Sequence, residues 1–336
     1  VIKRWTLRPL RLLAIVWVCI GGMAATALAE VVALGQAVER SGNGEINWTT
    51  GSVQATGLGA PPDKGGPGQA RAMAERAAYA VAVRNLLEIV KGVRVDSATL
   101  VENYIVTNDV IKTQVSGFVR GAQTVKKDVQ ADGGVEITVR VPLWGVDSLI
   151  TPFLNEKAIG SQNLPPEPES GEGPTGLVID ARGMGLKPAF FPMVVDENGT
   201  VIYGPDMIDR ATVEKNGAVQ YQTLPKGANI SSLFGEDAYV IRPVQIALVP
   251  REGRRPLKIK GVDKAGALKA NILISSDDAK KIRGDAQMGA ALRRSKVVVV
   301  TDPLIAGLEG RLPKPMPEGI HGIEQLLAFL AVHGTD

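Results

Sequence analysis

The stretch between Pro67 and Gly92 constrains the fold most. Proline suits a first helical turn, where its missing N–H costs nothing, and glycine suits a C-terminal cap. Seven alanines between Ala70 and Ala82 raise the intrinsic helicity. Tyr79, Val83, Leu86 and Val90 recur at helical spacing, with Ala72 in line, and predict the buried stripe. Arg84 and Glu88 form an i,i+4 pair on another face. A helix of this length needs a sheet or further helices to cover its apolar side.

The following sequence supplies that sheet. Val135, Ile137, Val139, Val141 and Leu143 alternate with Glu136, Thr138 and Arg140, the signature of a strand with one buried face. Residues 45–55 and 119–129 predict further strands, with a turn at Asp132-Gly133-Gly134. The glycine- and proline-rich segment 57–67 predicts a loop. Val93-Arg94-Val95 predicts the start of a strand, and residues 99–107 read as β-rich or extended. Asn108 is placed to cap a short helix over 109–115, and 147–154 predicts another short helix. The fold class expected is α+β, an antiparallel meander packed on one long helix.

Residues 155–174 are rich in proline, glycine and glutamate and lack apolar periodicity, which predicts an extended, solvated linker. It divides a first domain, 30–154, from a second, α/β domain, 175–310. Gly176-Leu177-Val178-Ile179-Asp180 reads as a buried strand running into a polar turn. Val194-Val195 and Val201-Ile202-Tyr203 flank Asp196-Glu197-Asn198-Gly199, a hairpin with Asn-Gly turn chemistry. Residues 239–249 predict a strand interrupted by Pro243. A strand over 271–274, a helix over 276–294 capped by Ser275 or Ser276, and a strand over 297–300 predict a β-α-β unit. Its two strands should be parallel with a right-handed crossover. Residues 311–319 form a second proline-rich linker. Ile320, Ile323, Leu327 and Leu330 then mark a short amphipathic C-terminal helix.

Residues 1–29 read as a secretory signal peptide. Lys3, Arg4, Arg8 and Arg11 precede an apolar run from Leu12 to Ala25, and Ala27-Leu28-Ala29 is a small-x-small cleavage site. Val1 is expected to stand for an initiator read from a non-standard start codon. The single cysteine, Cys19, lies inside the apolar run behind Val18, where a lipoprotein signal needs a small residue, so lipidation is not expected. Cleavage removes four basic residues and no acidic ones, and takes the net charge from +3 to −1. A basic surface for nucleic acid is therefore not expected, and no later stretch is apolar enough to span a bilayer as a helix. Together these features predict export to the periplasm or cell envelope.

No strong catalytic motif is present. The two histidines, His321 and His333, both fall in the C-terminal tail, and no Gly-x-Ser-x-Gly elbow occurs. Gly183-Met184-Gly185 lacks the third glycine of a dinucleotide loop, and no Walker-type loop appears, so no cofactor is expected. The candidate chemistry is acidic. Asp180, the pair Asp277-Asp278, and Asp302 each follow a short apolar strand, and sites in open α/β sheets gather beyond the carboxyl ends of strands. Such carboxylates could hold Mg²⁺ or Ca²⁺ through oxygen ligands. Alternatively, Asp277 and Asp278 could simply complement a helix dipole. Arg71, Arg76 and Arg84 on the long helix are candidates for a partner contact.

The run from Gln69 to Glu88, followed by Val90-Lys91-Gly92-Val93-Arg94-Val95 and the strand 135–142, resembles the LPP20 lipoprotein family. The same pattern is similar to the N-terminal domain of the flagellar assembly protein T. The resemblance covers roughly residues 45–154. It implies a non-enzymatic envelope protein, either a surface or periplasmic lipoprotein or a ring component around the flagellar basal body. The missing lipidation site is a departure from the lipoprotein members. The leading expectation is an exported structural or assembly protein whose partners are envelope proteins, among them flagellar basal-body or outer-membrane components. The alternative is a periplasmic ligand- or divalent-metal-binding module built on the carboxylates of the second domain.

Overall fold

The computed structural model describes residues 35–157, 159–160, 173–224, 227–230, 234, 238–247 and 268–303. The signal segment with Cys19, most of the proline-rich linker, and the C-terminal linker and helix lie outside the described residues.

The chain opens with β1 (Gly35–Gln36), β2 (Val38–Ser41), β3 (Gly44–Asn47) and β4 (Ser52–Gly59). The strand expected over 45–55 is thus a hairpin. Its turn is built by Asn47, whose Oδ1 accepts from the Thr49 and Thr50 amides at 3.1 and 2.9 Å, and by Gly51 at φ +69°. The strand β4 also runs to Gly59, three residues into the expected loop.

Helix α1 (Pro67–Lys91) follows, with Gly92 at its C-cap as anticipated. Its buried stripe is Ala74, Ala78, Ala82, Leu86, Ile89 and Val90, whereas Tyr79 and Val83 are only half-buried. The cause is close backbone approach. A Cβ on Gly57 would fall 2.8 Å from Ala82 Cα, and one on Gly59 would fall 2.5 Å from the Ala78 amide nitrogen. Large side chains cannot fit along this seam, so alanines take it and the bulkier residues turn aside.

Next come α2 (Val101–Thr107) and α3 (Asp109–Arg120). Within the segment 99–107, residues 101–107 are helical and not extended, and Leu100 keeps extended backbone. Asp96 Oδ1 accepts from the Ala98 and Thr99 amides, and Asn103 Oδ1 accepts from the Leu100 amide at 2.7 Å, so local side chains start the turn. Arg94 makes only an isolated bridge to Leu100 and no strand. Asn108 caps α3 as expected, accepting from Val110 and Ile111, but the helix continues to Arg120. β5 therefore starts late (Gln123–Val129) and pairs with β6 (Val135–Pro142). Only a 3-10 turn over Thr151–Phe153 forms in the segment 147–154. The antiparallel sheet runs β2-β3-β4-β6-β5, with α1 over β4 and β6. Of residues 155–157 and 159–160, read as the start of a solvated linker, Asn155, Glu156 and Gly160 are exposed, but Lys157 pairs with Asp96, and the Gly160 amide donates to Pro205 O at 3.2 Å.

The remaining elements are β7 (Gly176–Asp180), β8 (Val194–Asp196), β9 (Val201–Tyr203), α4 (Arg210–Asn216), β10 (Gln220–Thr223), β11 (Ala238–Ile241), β12 (Gln245–Ala247), β13 (Asn271–Ile274), α5 (Ser276–Gly284), α6 (Ala286–Arg293) and β14 (Val297–Thr301). They build two sheets, β1-β10-β14-β7-β11 and β12-β13-β8-β9. The β8–β9 hairpin forms as expected, with Asp196 Oδ1 holding the Asn198 and Thr200 amides and Gly199 at φ +79°. The expected parallel pairing of β13 with β14 does not form. β13 pairs with β8, and β14 pairs with β10 and β7, so the helices between them cross from one sheet to the other. The single helix expected over 276–294 is two: Asp285, with extended backbone, ends α5 and caps α6 through the Met288 amide at 3.0 Å. The strand expected over 239–249 is likewise divided at Pro243, its halves joining different sheets.

The described residues share one hydrophobic core. β1, expected in the first domain, pairs with β10 of the second. Trp48, fully buried, stands edge-on to Phe190 and Tyr221 at 6.0 and 5.8 Å. The Phe190 and Phe191 amides donate to Arg94 O and Val95 O at 3.0 and 2.9 Å.

Candidate functional site

Strands β14, β7 and β11 read Val-Val-Val-Val-Thr, Gly-Leu-Val-Ile-Asp and Ala-Tyr-Val-Ile. Such apolar runs suit parallel strands covered on both faces. They lie side by side and parallel, so the residues that follow them meet at one edge. Asp302, Asp180 with Arg182, and Arg242 come from these three ends.

The residues there engage one another. Arg182 folds back on the strand that precedes it: its Nε donates to Asp180 Oδ1 at 2.8 Å and its Nη2 to Asp180 Oδ2 at 3.0 Å. This two-pronged geometry is the strong form of a guanidinium–carboxylate pair. Nη1 of the same guanidinium donates to Ala228 O at 3.1 Å. Asp302 Oδ2 accepts from the Gly183 amide at 2.7 Å, and Gly183 and Gly185 take positive φ to carry the chain over the sheet edge. Burial acts to raise the Asp180 pKa, but the Arg182 hydrogen bonds and the charges of Arg182 and Arg242 outweigh it. The carboxyl is held below the usual range.

Asp277 and Asp278 lie elsewhere. They occupy the first turn of α5, which follows β13 in the other sheet. Ser275 Oγ accepts from the Asp278 amide at 3.0 Å and donates to Asp278 Oδ2 at 2.8 Å, while Tyr239 donates its hydroxyl to Asp278 Oδ1 at 3.0 Å. Burial, then the Asp278 hydrogen bond and charge, push the Tyr239 hydroxyl up to about 12. Asp277 is exposed beside Lys280 at 3.5 Å. The four predicted metal ligands thus split into two places. Among the described residues no group of three His, Cys, Asp or Glu is placed to hold a metal ion.

Of the candidate contact residues, Arg71, Arg76 and Arg84 are all exposed on α1, and Arg76 borders a cleft. That cleft, about 670 Å³, lies between α1 and β5 and is lined by Ala72, Glu75, Tyr79, Thr124 and Lys127 as well. All seven residues of β5 are exposed, and Glu75 and Lys127 form an ion pair across the cleft.

The sequence reading missed the cluster that ties the two parts together. Arg94, between buried Val93 and Val95, donates Nε to Pro188 O at 2.6 Å and forks onto Glu39. Its guanidinium lies 5.9 Å from the Trp48 ring centroid. One signal was visible, a single cation flanked by valines in a β-like run, since a buried charge needs a partner. Lys126 and Lys127 on β5 were also passed over; a lysine pair inside a strand signals an edge.

The arrangement is that of an α+β protein: a five-stranded antiparallel sheet under one helix, in which β4 pairs with β6 and not with β5 as a meander would have it, joined through a common core to two mixed sheets. Residues 176–303 match the family model described as Treponema pallidum Tp0624, second domain. A search of curated proteins finds no match. Among the described residues no helix is long and apolar enough to cross a membrane.

Proposed function

We propose that the chain is an exported, non-enzymatic protein of the bacterial envelope that works through protein–protein contacts, with the flagellar base as one setting. The observation that carries this reading is β5, a strand of seven exposed residues at a sheet edge, bordered by the α1 cleft. Exposed edges of this length are templates for a further chain. The basic, apolar and small-residue order of residues 1–29 supports export, and the LPP20-like pattern lies in the same part of the chain as β5. A divalent-metal module has less support, because Asp180, Asp278 and Asp302 already accept hydrogen bonds from protein donors.

Cell fractionation with mass spectrometry of the intact protein tests the reading. The expected result is a chain beginning at Glu30 in the periplasmic or envelope fraction and, after crosslinking, in complexes larger than itself. An unprocessed chain in the cytosol would overturn it.

A further inference from the structure

We propose that β5 and the cleft beside it take an extended segment of a partner protein, added antiparallel or parallel as a sixth strand of the first sheet, with acidic side chains on its cleft-facing side. This rests on the reading of the protein as a contact-making envelope component and names the surface and the chemistry of the partner segment.

The backbone of β5 pairs with β6 on one side only. The register fixes where its side chains point, with a bulge between Thr124 and Lys126 that leaves Val125 out of the pairing. Thr124, Lys127 and Val129 lie opposite Val139, Ile137 and Val135, whose side chains are buried on the α1 side of the sheet. Gln123, Lys126 and Asp128 lie opposite Arg140, Thr138 and Glu136, on the outer face. Helix α1 covers β4 and β6 and stops short of β5, which leaves the cleft open along the strand.

Charge selects the occupant. On the cleft side Arg76 and Lys127 face a single acid, Glu75, so the lining carries an excess cation. On the outer face Lys126 is matched by Asp128 and Glu136. An added strand alternates its side chains between these two faces. It is favoured with acids toward the cleft and neutral β-formers on the outer side. Two-fold antiparallel pairing of a second copy centred on Lys126 or on Lys127 sets that lysine directly opposite its own copy, which destabilises a sheet, and self-association is one outcome the test reads. Backbone pairing with alternating side-chain contacts is the usual mode of strand addition.

The test uses the full processed chain and a fluorescein-labelled peptide of alternating Glu and Thr, about seven residues long. The expected result is saturable binding that falls at least tenfold in the Arg76→Glu/Lys127→Glu double variant, and falls with added salt. Arg76→Lys/Lys127→Arg should keep it. A peptide N-methylated at alternate amides should lose it, as should one with Lys in place of Glu. Thermal unfolding by circular dichroism checks that both variants fold. No binding, equal binding of the Lys peptide, indifference to the charge reversal, or self-association through β5 would each overturn the proposal. If the peptide fails while envelope complexes of the wild type persist in the charge-reversed variant, the envelope reading stands and only this surface falls. If the peptide binds but the chain is cytosolic, the reverse holds.

Discussion

A methyl group on Gly57 would lie 2.8 Å from Ala82 Cα, so strand β4 and helix α1 meet backbone to backbone at that point. The Ala78 carbonyl oxygen and Ala82 amide nitrogen would be closer still. Next to this contact the Asn85 side chain donates to Thr56 O at 2.8 Å and pins the helix to the strand. Gly57→Val should therefore force α1 away from its sheet. The expected loss is about 3 kcal/mol or more, at the upper end of the overpacking range. Urea unfolding checks it. A stability within about 0.5 kcal/mol of wild type would contradict the seam.

Arg94 should behave as the clamp between the two parts. Arg94→Ala leaves Glu39 half-buried without its fork, frees Pro188 O, and uncovers the Trp48 ring. Breaking a pair of this burial costs roughly 3–5 kcal/mol. Arg94→Lys should recover little, because an ammonium cannot fork onto both carboxylate oxygens and the carbonyl together. Paired denaturation curves for the two variants decide the matter.

Acid should destabilise the protein through Asp180 and Asp96. Both carboxyls are held below their usual range, against the opposing effect of burial, by Arg182 and by Lys157 respectively. A depressed folded-state pKa contributes stability that is full above the unfolded value, about 3.9 for Asp, and is lost as pH falls through the folded value. Lys157 is the opposite case. Its pKa is raised by Asp96 and Tyr104 despite burial, so its contribution is full below about 10.4 and lost as pH rises through the folded value. Asp180→Asn should flatten the stability profile below about pH 4 and leave the alkaline limb unchanged. Thermal unfolding across pH measures both limbs.

Cap substitutions should give smaller, local effects. Asn108→Ala removes acceptors for the Val110 and Ile111 amides, and Asp285→Ala removes that for Met288. Each should cost about 1 kcal/mol, the ordinary value of an N-cap. Hydrogen exchange should localise the first to α3 and the second to α6.

The local grammar of the chain was readable where one element suffices to set it. Pro67 and Gly92 bound α1, Asn108 caps α3, and the Val135-to-Leu143 alternation gives β6 its buried face. The buried stripe of α1 was read at Leu86 and Val90 but misread at Ala72, Tyr79 and Val83, because its partner, the Gly57 and Gly59 backbone, lies on another element, and alanine carries a weak hydrophobic signal. Residues 99–107 have β-favouring side chains, but Asp96 and Asn103 supply side-chain acceptors for backbone amides that start a helical turn instead. The allocation of β13 and β14 to different sheets depends on pairings far apart in sequence, which no local pattern encodes. Of the candidate acids, the strand-end rule brought Asp180 and Asp302 to one edge. It misplaced Asp277 and Asp278, because it assumed a single sheet.

The most direct test of the account is crosslinking of the tagged chain in intact cells of its source, followed by purification from fractionated envelopes and mass spectrometry. The account predicts recovery of defined envelope proteins, with crosslinks concentrated on β5 and the α1 side of its cleft. A chain recovered alone, free of crosslinks to any envelope component, would contradict it.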